Sequence, residues 1–304
     1  MKEVIISIII PTFGRAQNLS RAINSILKQT FKEYEIIVVD DNEPDSIHRT
    51  ETAKIINTFD NEKIIYIQHE MNKNGAAARN TGIQNAKGEY IAFLDDDDEF
   101  EEDKLNVQYQ FIKNNPSCDG VYSRSSVYKN GIKYYETKYS ESNVDKIHID
   151  LLSLKSECYT PTLFLKRKSL IEIGGFDESF QRNQDIEMLV RFTKRYNLCF
   201  VDLSLVKVHT DDNSNQLSFE KYEFTRNKFI NKYSSYIDCL SENNIKIIYR
   251  ELYFDLAYYA FKRKHFSKFL YYLFKSKPNI EIVRNNINKI KKICKKLFIE
   301  RLKY

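Results

Sequence analysis

Four short apolar runs, at residues 4–10, 35–39, 64–67 and 90–94, are interleaved with helical stripes across the first hundred residues. Runs that are continuously apolar, without in–out alternation, mark strands buried on both faces, as in a parallel sheet covered by helices. Residues 16–28 place Leu19, Ala22, Ile23, Ile26 and Leu27 on one helical face, and residues 76–86 form a short Ala-rich helix. The expected fold class is therefore α/β, a mostly parallel Rossmann-like sheet flanked by helices. Polar residues collect at the C-terminal ends of three of the strands: Pro11-Thr12-Phe13-Gly14-Arg15, Asp40-Asp41, and Asp95-Asp96-Asp97-Asp98. Ligands of open α/β sheets lie at that edge.

The four aspartates are the sharpest of these features. They directly follow Tyr90-Ile91-Ala92-Phe93-Leu94, with no basic residue among them. Two such charges about 6 Å apart repel by roughly 3 kcal/mol at an effective dielectric near 20. A cation relieves that repulsion, and hard oxygen ligands suit Mg²⁺ or Mn²⁺. An EF-hand loop is excluded: counted from Asp95, the sixth position is Phe100 and the twelfth is Asn106, where that loop needs Gly and Glu. A solvated acidic turn before a helix at 102–113 is the alternative reading.

Composition narrows the class. The 304-residue chain is 42% hydrophobic and 29% charged, enough to bury a core. No apolar stretch approaches a bilayer span, and Met1-Lys2-Glu3-Val4 leads straight into a strand pattern without a signal-peptide design. The five cysteines are far apart, with no C-x-x-C, which argues against a disulfide framework or a zinc site and for a reducing, cytoplasmic setting. Only eight glycines and no tryptophan, beside abundant Lys, Asn, Ile and Tyr, suit an AT-rich bacterial gene. The formal net charge is +5, yet residues 284–304 alone carry +7 and the remainder −2. A near-neutral body with a basic tail argues against nucleic-acid binding by the body.

Beyond residue 120 the pattern loosens. Residues 121–127 and 132–135 predict a hairpin around Asn130-Gly131. A Gly174-Gly175-Phe176-Asp177 turn precedes an amphipathic helix at 184–196, and residues 198–201 and 205–209 read as two strands. From about 217 no strand pattern returns. Residues 246–275 read as a helical hairpin broken near His265-Phe266-Ser267 and closed by Pro278. No G-x-G-x-x-G and no Walker A sequence occurs, so neither a dinucleotide turn nor a P-loop is present.

Four motifs occur in register: Val4-Ile5-Ile6-Ser7-Ile8-Ile9-Ile10-Pro11-Thr12-Phe13, Ile36-Ile37-Val38-Val39-Asp40-Asp41, Asn74-Gly75-Ala76-Ala77-Ala78-Arg79-Asn80 and Phe93-Leu94-Asp95-Asp96-Asp97-Asp98. In this order they resemble the family 2 glycosyltransferases, over residues 4–210. The resemblance implies a GT-A fold in residues 1–215 with a C-terminal helical extension in 216–304. It implies a nucleotide-sugar donor, with UDP expected because a carboxylate can accept from the uracil imide. It also implies a glycan acceptor and a Mn²⁺ or Mg²⁺ cofactor.

By the same resemblance Pro11, Thr12, Arg15, Asp40, Asp41, Arg79, Asp95 and Asp96 would line the donor nucleotide. Asp40 would take the base, Arg79 the uracil or diphosphate, and Asp95 the ribose side. Asp97 would ligate the metal, and His209 could add a further metal or phosphate contact. The late Glu-Asp pair of the family corresponds to Gln184-Asp185, so its first acid is lost; Asp185 remains as the expected general base of an inverting transfer. The small residues usual after the Asp pair are replaced by Asn42-Glu43-Pro44.

Processive synthases of this superfamily carry a Q-x-x-R-W motif and membrane spans. This chain has no tryptophan, so a non-processive enzyme acting on a capsular or exopolysaccharide precursor is expected. In the tail, Ile287, Ile290, Cys294, Leu297 and Phe298 alternate with Lys289, Lys291, Lys292, Lys295 and Lys296. Such a basic amphipathic helix suits the inner leaflet and a lipid-linked acceptor, and equally a helix packed on the body with its lysines in water. Two other readings compete. A sugar nucleotidyltransferase would need a Gly-rich activation loop, which Pro11-Thr12-Phe13-Gly14-Arg15 is too Gly-poor to supply. A non-catalytic assembly protein has no evident use for the retained carboxylates.

Overall fold

β-Branched residues dominate the central strands because both faces are covered and the pleat rewards branched packing. The computed structural model describes residues 4–137, 144–210 and 217–277. In chain order the elements are β1 (Ile6–Thr12), α1 (Ala16–Leu27), β2 (Tyr34–Asp40), α2 (Ile47–Asn57), β3 (Ile64–Gln68), α3 (Gly75–Asn85), β4 (Tyr90–Phe93), β5 (Glu99–Phe100), α4 (Lys104–Asn114), β6 (Gly120–Lys129), β7 (Ile132–Glu136), α5 (Val144–Leu152), β8 (Phe164–Lys166), α6 (Arg167–Glu172), α7 (Gln184–Thr193), β9 (Leu198–Thr210), α8 (Phe219–Ile237), α9 (Glu242–Lys262) and α10 (Phe266–Ser276).

The strands form one sheet in the order β3-β2-β1-β4-β8-β6-β9-β5, with β7 added to β6. The β3-β2-β1-β4 half is parallel, whereas β8 is antiparallel to both β4 and β6. One face packs Ile6, Ile8, Ile10, Ile36 and Val38 against Leu19, Ile23 and Ile26 of α1. On the other face α3 approaches so closely that a Cβ at Gly82 would lie 2.4 Å from Ile9 Cγ2.

Pro11 does not end the first strand, as expected from sequence, but sits inside it, opposite Val39. Ile9 offers its carbonyl to Leu94 N–H on the β4 side, whereas Thr12 offers its own to Asp41 N–H on the β2 side. Strand geometry turns Pro11 with Ile9 toward β4, which has already ended there, so the missing N–H breaks no ladder bond. Two predicted strands at 198–201 and 205–209 are one strand, β9, whose parallel pairing with β6 shifts register around Arg124. The same pairing overturns an expectation about the cysteines. Val121 lies opposite Cys199, and Cys118 and Cys199 are joined in a disulfide across 81 residues. Cys158 and Cys239 are free.

The chain divides into two compact units, Met1–Leu151 with Ser156–Ser214, and Leu152–Lys155 with Asn215–Tyr304. The second unit takes in the last residue of α5 and the three that follow it, Leu152–Lys155. That unit holds α8, α9 and α10. The hairpin expected in 246–275 corresponds to α9 and α10, and α8 precedes it. Within this unit the Tyr222 and Tyr259 rings stack at 3.8 Å, and Tyr222 and Arg226 both donate to Asp255. The amphipathic tail at 284–304 lies outside the described residues. Among the described residues, no helix is long and apolar enough to cross a membrane.

Lys104, fully buried, donates to Gln108 Oε1 at 2.6 Å and lies 4.3 Å from the centre of the Phe100 ring. Burial pushes its amine down to about 7. The unfolded chain, with an ordinary lysine, then binds more protons between pH 7 and about 10.4, so stability should rise with pH across that window and level off below it. Lys104→Met should remove that rise and stabilise the protein at pH 7 by about 1–2 kcal/mol, after the cost of unpairing Gln108. Chemical denaturation of both proteins at pH 7 and 9 checks this; equal pH slopes would refute the assignment.

Candidate active site

The C-terminal ends of β1, β2 and β4 bring three polar segments together, as the register Thr12 opposite Asp40 requires. Asp96 points inward and is fully buried. It accepts from Thr12 Oγ1 at 2.8 Å and pairs with Arg15 at 2.7 Å. Burial pushes its carboxyl up to about 7 against the pull of Arg15. Arg15 also grips Asp97, and Arg21 donates to the Asp97 carbonyl at 2.5 Å.

Asp95 and Asp97 are the outward-facing members, with side chains 29% and 26% exposed. Asp98 turns back, caps the Asp95 carbonyl through its N–H at 3.0 Å and accepts His209 N–H at 2.9 Å. Burial first, and then Asp95 and Asp97, hold the Asp98 carboxyl well above the usual range. The run is therefore not a uniform acidic patch: two carboxylates are sunk into the protein and two face the ligand edge.

α3 delivers Arg79. Asn74 starts this helix at φ 92° and accepts from Ala76 N–H and Ala77 N–H, which fixes the first turn. Arg79 Nη2 then donates to Asp95 at 2.6 Å, while Nη1 donates to Gln184 Oε1 at 3.2 Å. A single guanidinium thus joins the acidic run to the first residue of α7, next to Asp185. The Asp185 carboxyl accepts from Thr160 Oγ1 at 3.3 Å. Burial pushes it above the ordinary aspartate range, with Asp95 adding to the rise and Arg79 opposing it. A buried carboxylate with a raised pKa beside a cationic clamp can accept a proton from a hydroxyl.

Two further ties hold α7 in place, and only the motif ending in Asn80 hinted at one of them. Asn80 donates to the Phe176 carbonyl and accepts Phe176 N–H, at 2.9 and 2.8 Å. Gly175 has φ 63°, and a Cβ there would lie 2.4 Å from Asn80 Oδ1, so glycine is needed for both reasons. Buried Glu187 holds Arg191, which donates to the Gly175 carbonyl at 2.7 Å. Thr160 has no readable signature away from its partner Asp185.

Asp40 and Asp41 are both held by neighbouring groups. Asp40 is fully buried; Asn42 donates to it through N–H and Nδ2 at 2.9 and 2.8 Å, Tyr66 at 2.5 Å, and Arg49 approaches at 3.3 Å. Asp41 accepts Lys73 N–H and Asn74 N–H, both at 2.8 Å, and Asn72 Nδ2 at 3.0 Å, and it meets His69 at 2.7 Å. Through these contacts the pair pins the loops that border the ligand edge. His209 likewise faces Glu99, at 2.7 Å, and stacks on Tyr128.

Among the described residues no three His, Cys, Asp or Glu side chains converge as a ready-made metal site. A Mg²⁺- or Mn²⁺-type site on one or two carboxylates completed by substrate phosphates needs no such cage. The outward carboxylates Asp95 and Asp97, in a run whose members repel one another, fit that donor set.

The glycosyl transferase family 2 model matches residues 7–174. The chain belongs to glycosyl transferase family 2. It is 29% identical over 206 residues to the amylovoran biosynthesis glycosyltransferase AmsB of Erwinia amylovora, covering 64% of this chain and 65% of AmsB. It is 34% identical over 184 residues to the GalNAc(5)-diNAcBac-PP-undecaprenol beta-1,3-glucosyltransferase of Campylobacter jejuni, covering 59% of this chain and 57% of that protein. A Rickettsia felis protein described as an uncharacterized glycosyltransferase is 32% identical over 69% of this chain, which spans 34% of that longer protein. Among solved structures, S. aureus TarS 1-349 in complex with UDP-GlcNAc superposes with a TM-score of 0.68 at 19% identity, covering 89% of this chain and 80% of TarS 1-349. The fold is GT-A, as the sequence resemblance implied.

Proposed function

We propose that this family 2 protein is an inverting, non-processive glycosyltransferase that moves a sugar from a UDP-sugar to a hydroxyl of a cell-surface glycan precursor. The observation that carries the reading is the Arg79 bridge, which holds the outward Asp95 on one side and Gln184, next to Asp185, on the other. It sets an anion-binding guanidinium between the acidic run and a candidate base. The names of AmsB and of the Campylobacter enzyme support a polysaccharide or undecaprenol-linked acceptor, and the UDP-GlcNAc bound to TarS supports a UDP-sugar donor.

In this reading Asp95 meets the ribose side of the donor. Asp97 would hold the cation, and Arg15 and Arg79 would turn from their carboxylates toward the diphosphate. A bound Mn²⁺ or Mg²⁺ supplies Lewis-acid stabilisation of the departing nucleoside diphosphate. Asp96 and Thr12 keep the loop in place, Asp40 and Asp41 shape the wall beside the base, and His209 positions Glu99 and the Asp98 turn. Asp185 takes the acceptor proton as that oxygen forms its bond to the anomeric carbon. The bond from that carbon to the diphosphate breaks on the opposite face, and its electron pair leaves with UDP.

A panel of nucleotide sugars incubated with the protein and Mn²⁺ tests this without the acceptor, because water can replace the glycan slowly. Release of UDP from one UDP-sugar, abolished by chelation, is expected. Pyrophosphate release would identify a nucleotidyltransferase, and no metal-dependent turnover of any donor would identify a non-catalytic assembly protein.

A further inference from the structure

We propose that α10 is a membrane-contact helix that seats the C-terminal unit on an anionic lipid surface, independently of which donor or acceptor the protein uses. Helix α10 leaves Phe266, Leu270 and Phe274 55%, 63% and 83% exposed. These three residues are spaced four apart, so they form one stripe along the helix. The opposite side of α10 packs inward through Tyr272 and Ser276, which are buried, and through Phe269, whose ring lies 5.1 Å from that of Phe261. The stripe is thus an outward face of a helix already anchored to its unit.

Charge selects the partner. Residues 256–277 contain six Lys or Arg and no Asp or Glu. Glu223 of α8 neutralises one of them, Lys268, at 2.8 Å, and Lys275 lies over the Tyr253 and Tyr271 rings at 5.0 Å. The chain continues past Lys277 into the strongly basic sequence 284–304. An exposed apolar stripe in a segment that carries six cations and no acid matches a helix lying in the headgroup region of an anionic bilayer. A nucleic acid or an acidic protein would answer the charges but would leave the Phe-Leu-Phe stripe without an apolar partner.

The test uses the full chain and its double variant Leu270→Glu/Phe274→Glu, sedimented with phosphatidylglycerol-containing vesicles and with pure phosphatidylcholine vesicles. Wild type should bind the anionic vesicles, less as salt rises, and the variant should bind on the order of tenfold more weakly at unchanged Tm and unchanged donor hydrolysis. Equal sedimentation of the two proteins overturns the proposal and assigns any binding to the tail. A fall in Tm with the double substitution overturns it by showing the stripe covered by the chain itself. A wild-type dimer that the variant converts to monomer overturns it in favour of a second copy.

Discussion

Asp185→Asn is expected to slow glycosyl transfer by about 100-fold or more, the scale of a lost general base, while UDP binds nearly as tightly as to wild type. The amide keeps the size of the side chain and can still meet Thr160, so the start of α7 should hold. The pH dependence supplies the second readout. Burial holds the Asp185 carboxyl above the usual aspartate range. The base is therefore lost as pH falls through that raised value, and the acid limb of kcat/KM should lie higher than an exposed aspartate would give. The asparagine variant should lack that limb. A transfer rate equal to wild type, or an unchanged acid limb, would remove Asp185 from the chemistry.

Asp97→Ala is expected to abolish Mn²⁺-dependent UDP affinity and nearly all turnover, with little change in Tm. Its side chain is partly exposed and its partner is the half-exposed Arg15, so the fold loses little when the carboxylate goes. The inward neighbour Asp96 behaves differently, because it holds both Thr12 and Arg15 from a buried position. Calorimetry with UDP in the presence and absence of Mn²⁺ separates the two roles. Unchanged metal-dependent affinity in the Asp97 variant would show that the cation is held elsewhere.

The half of the molecule nearest these residues was legible because its signals are local. Continuous apolar runs marked β1 to β4, and the polar ends of β1, β2 and β4 come together in space. What escaped notice lacked a local signal. Helix α2 buries Arg49 and Thr52 beside Ile56, so its inner face does not look apolar. Strand β8 has three residues, too few for any period. The break at Asp202-Leu203-Ser204 reads as a turn in sequence, yet β6 shifts register to keep β9 continuous. The Cys118–Cys199 pair is made by strand pairing between distant segments, which spacing alone cannot reveal. At the site, Asp40 and Asp41 stood out as carboxylates, but only three-dimensional neighbours show that Asn42 and Tyr66 donate to the first, and that His69 and three backbone or amide donors of residues 72–74 meet the second.

Gln184 changes the electrostatic balance of the centre. A glutamate in its place would give Arg79 two anions to serve, and an incoming diphosphate would have to compete with both. The neutral amide accepts a hydrogen bond from Arg79 without opposing its charge. One full positive charge is then matched by Asp95 alone, and the site is one unit less repulsive to a multiply charged leaving group. Glutamine as the first residue of α7 would therefore favour a diphosphate at this guanidinium, and it leaves Asp185 as the first carboxylate of that helix.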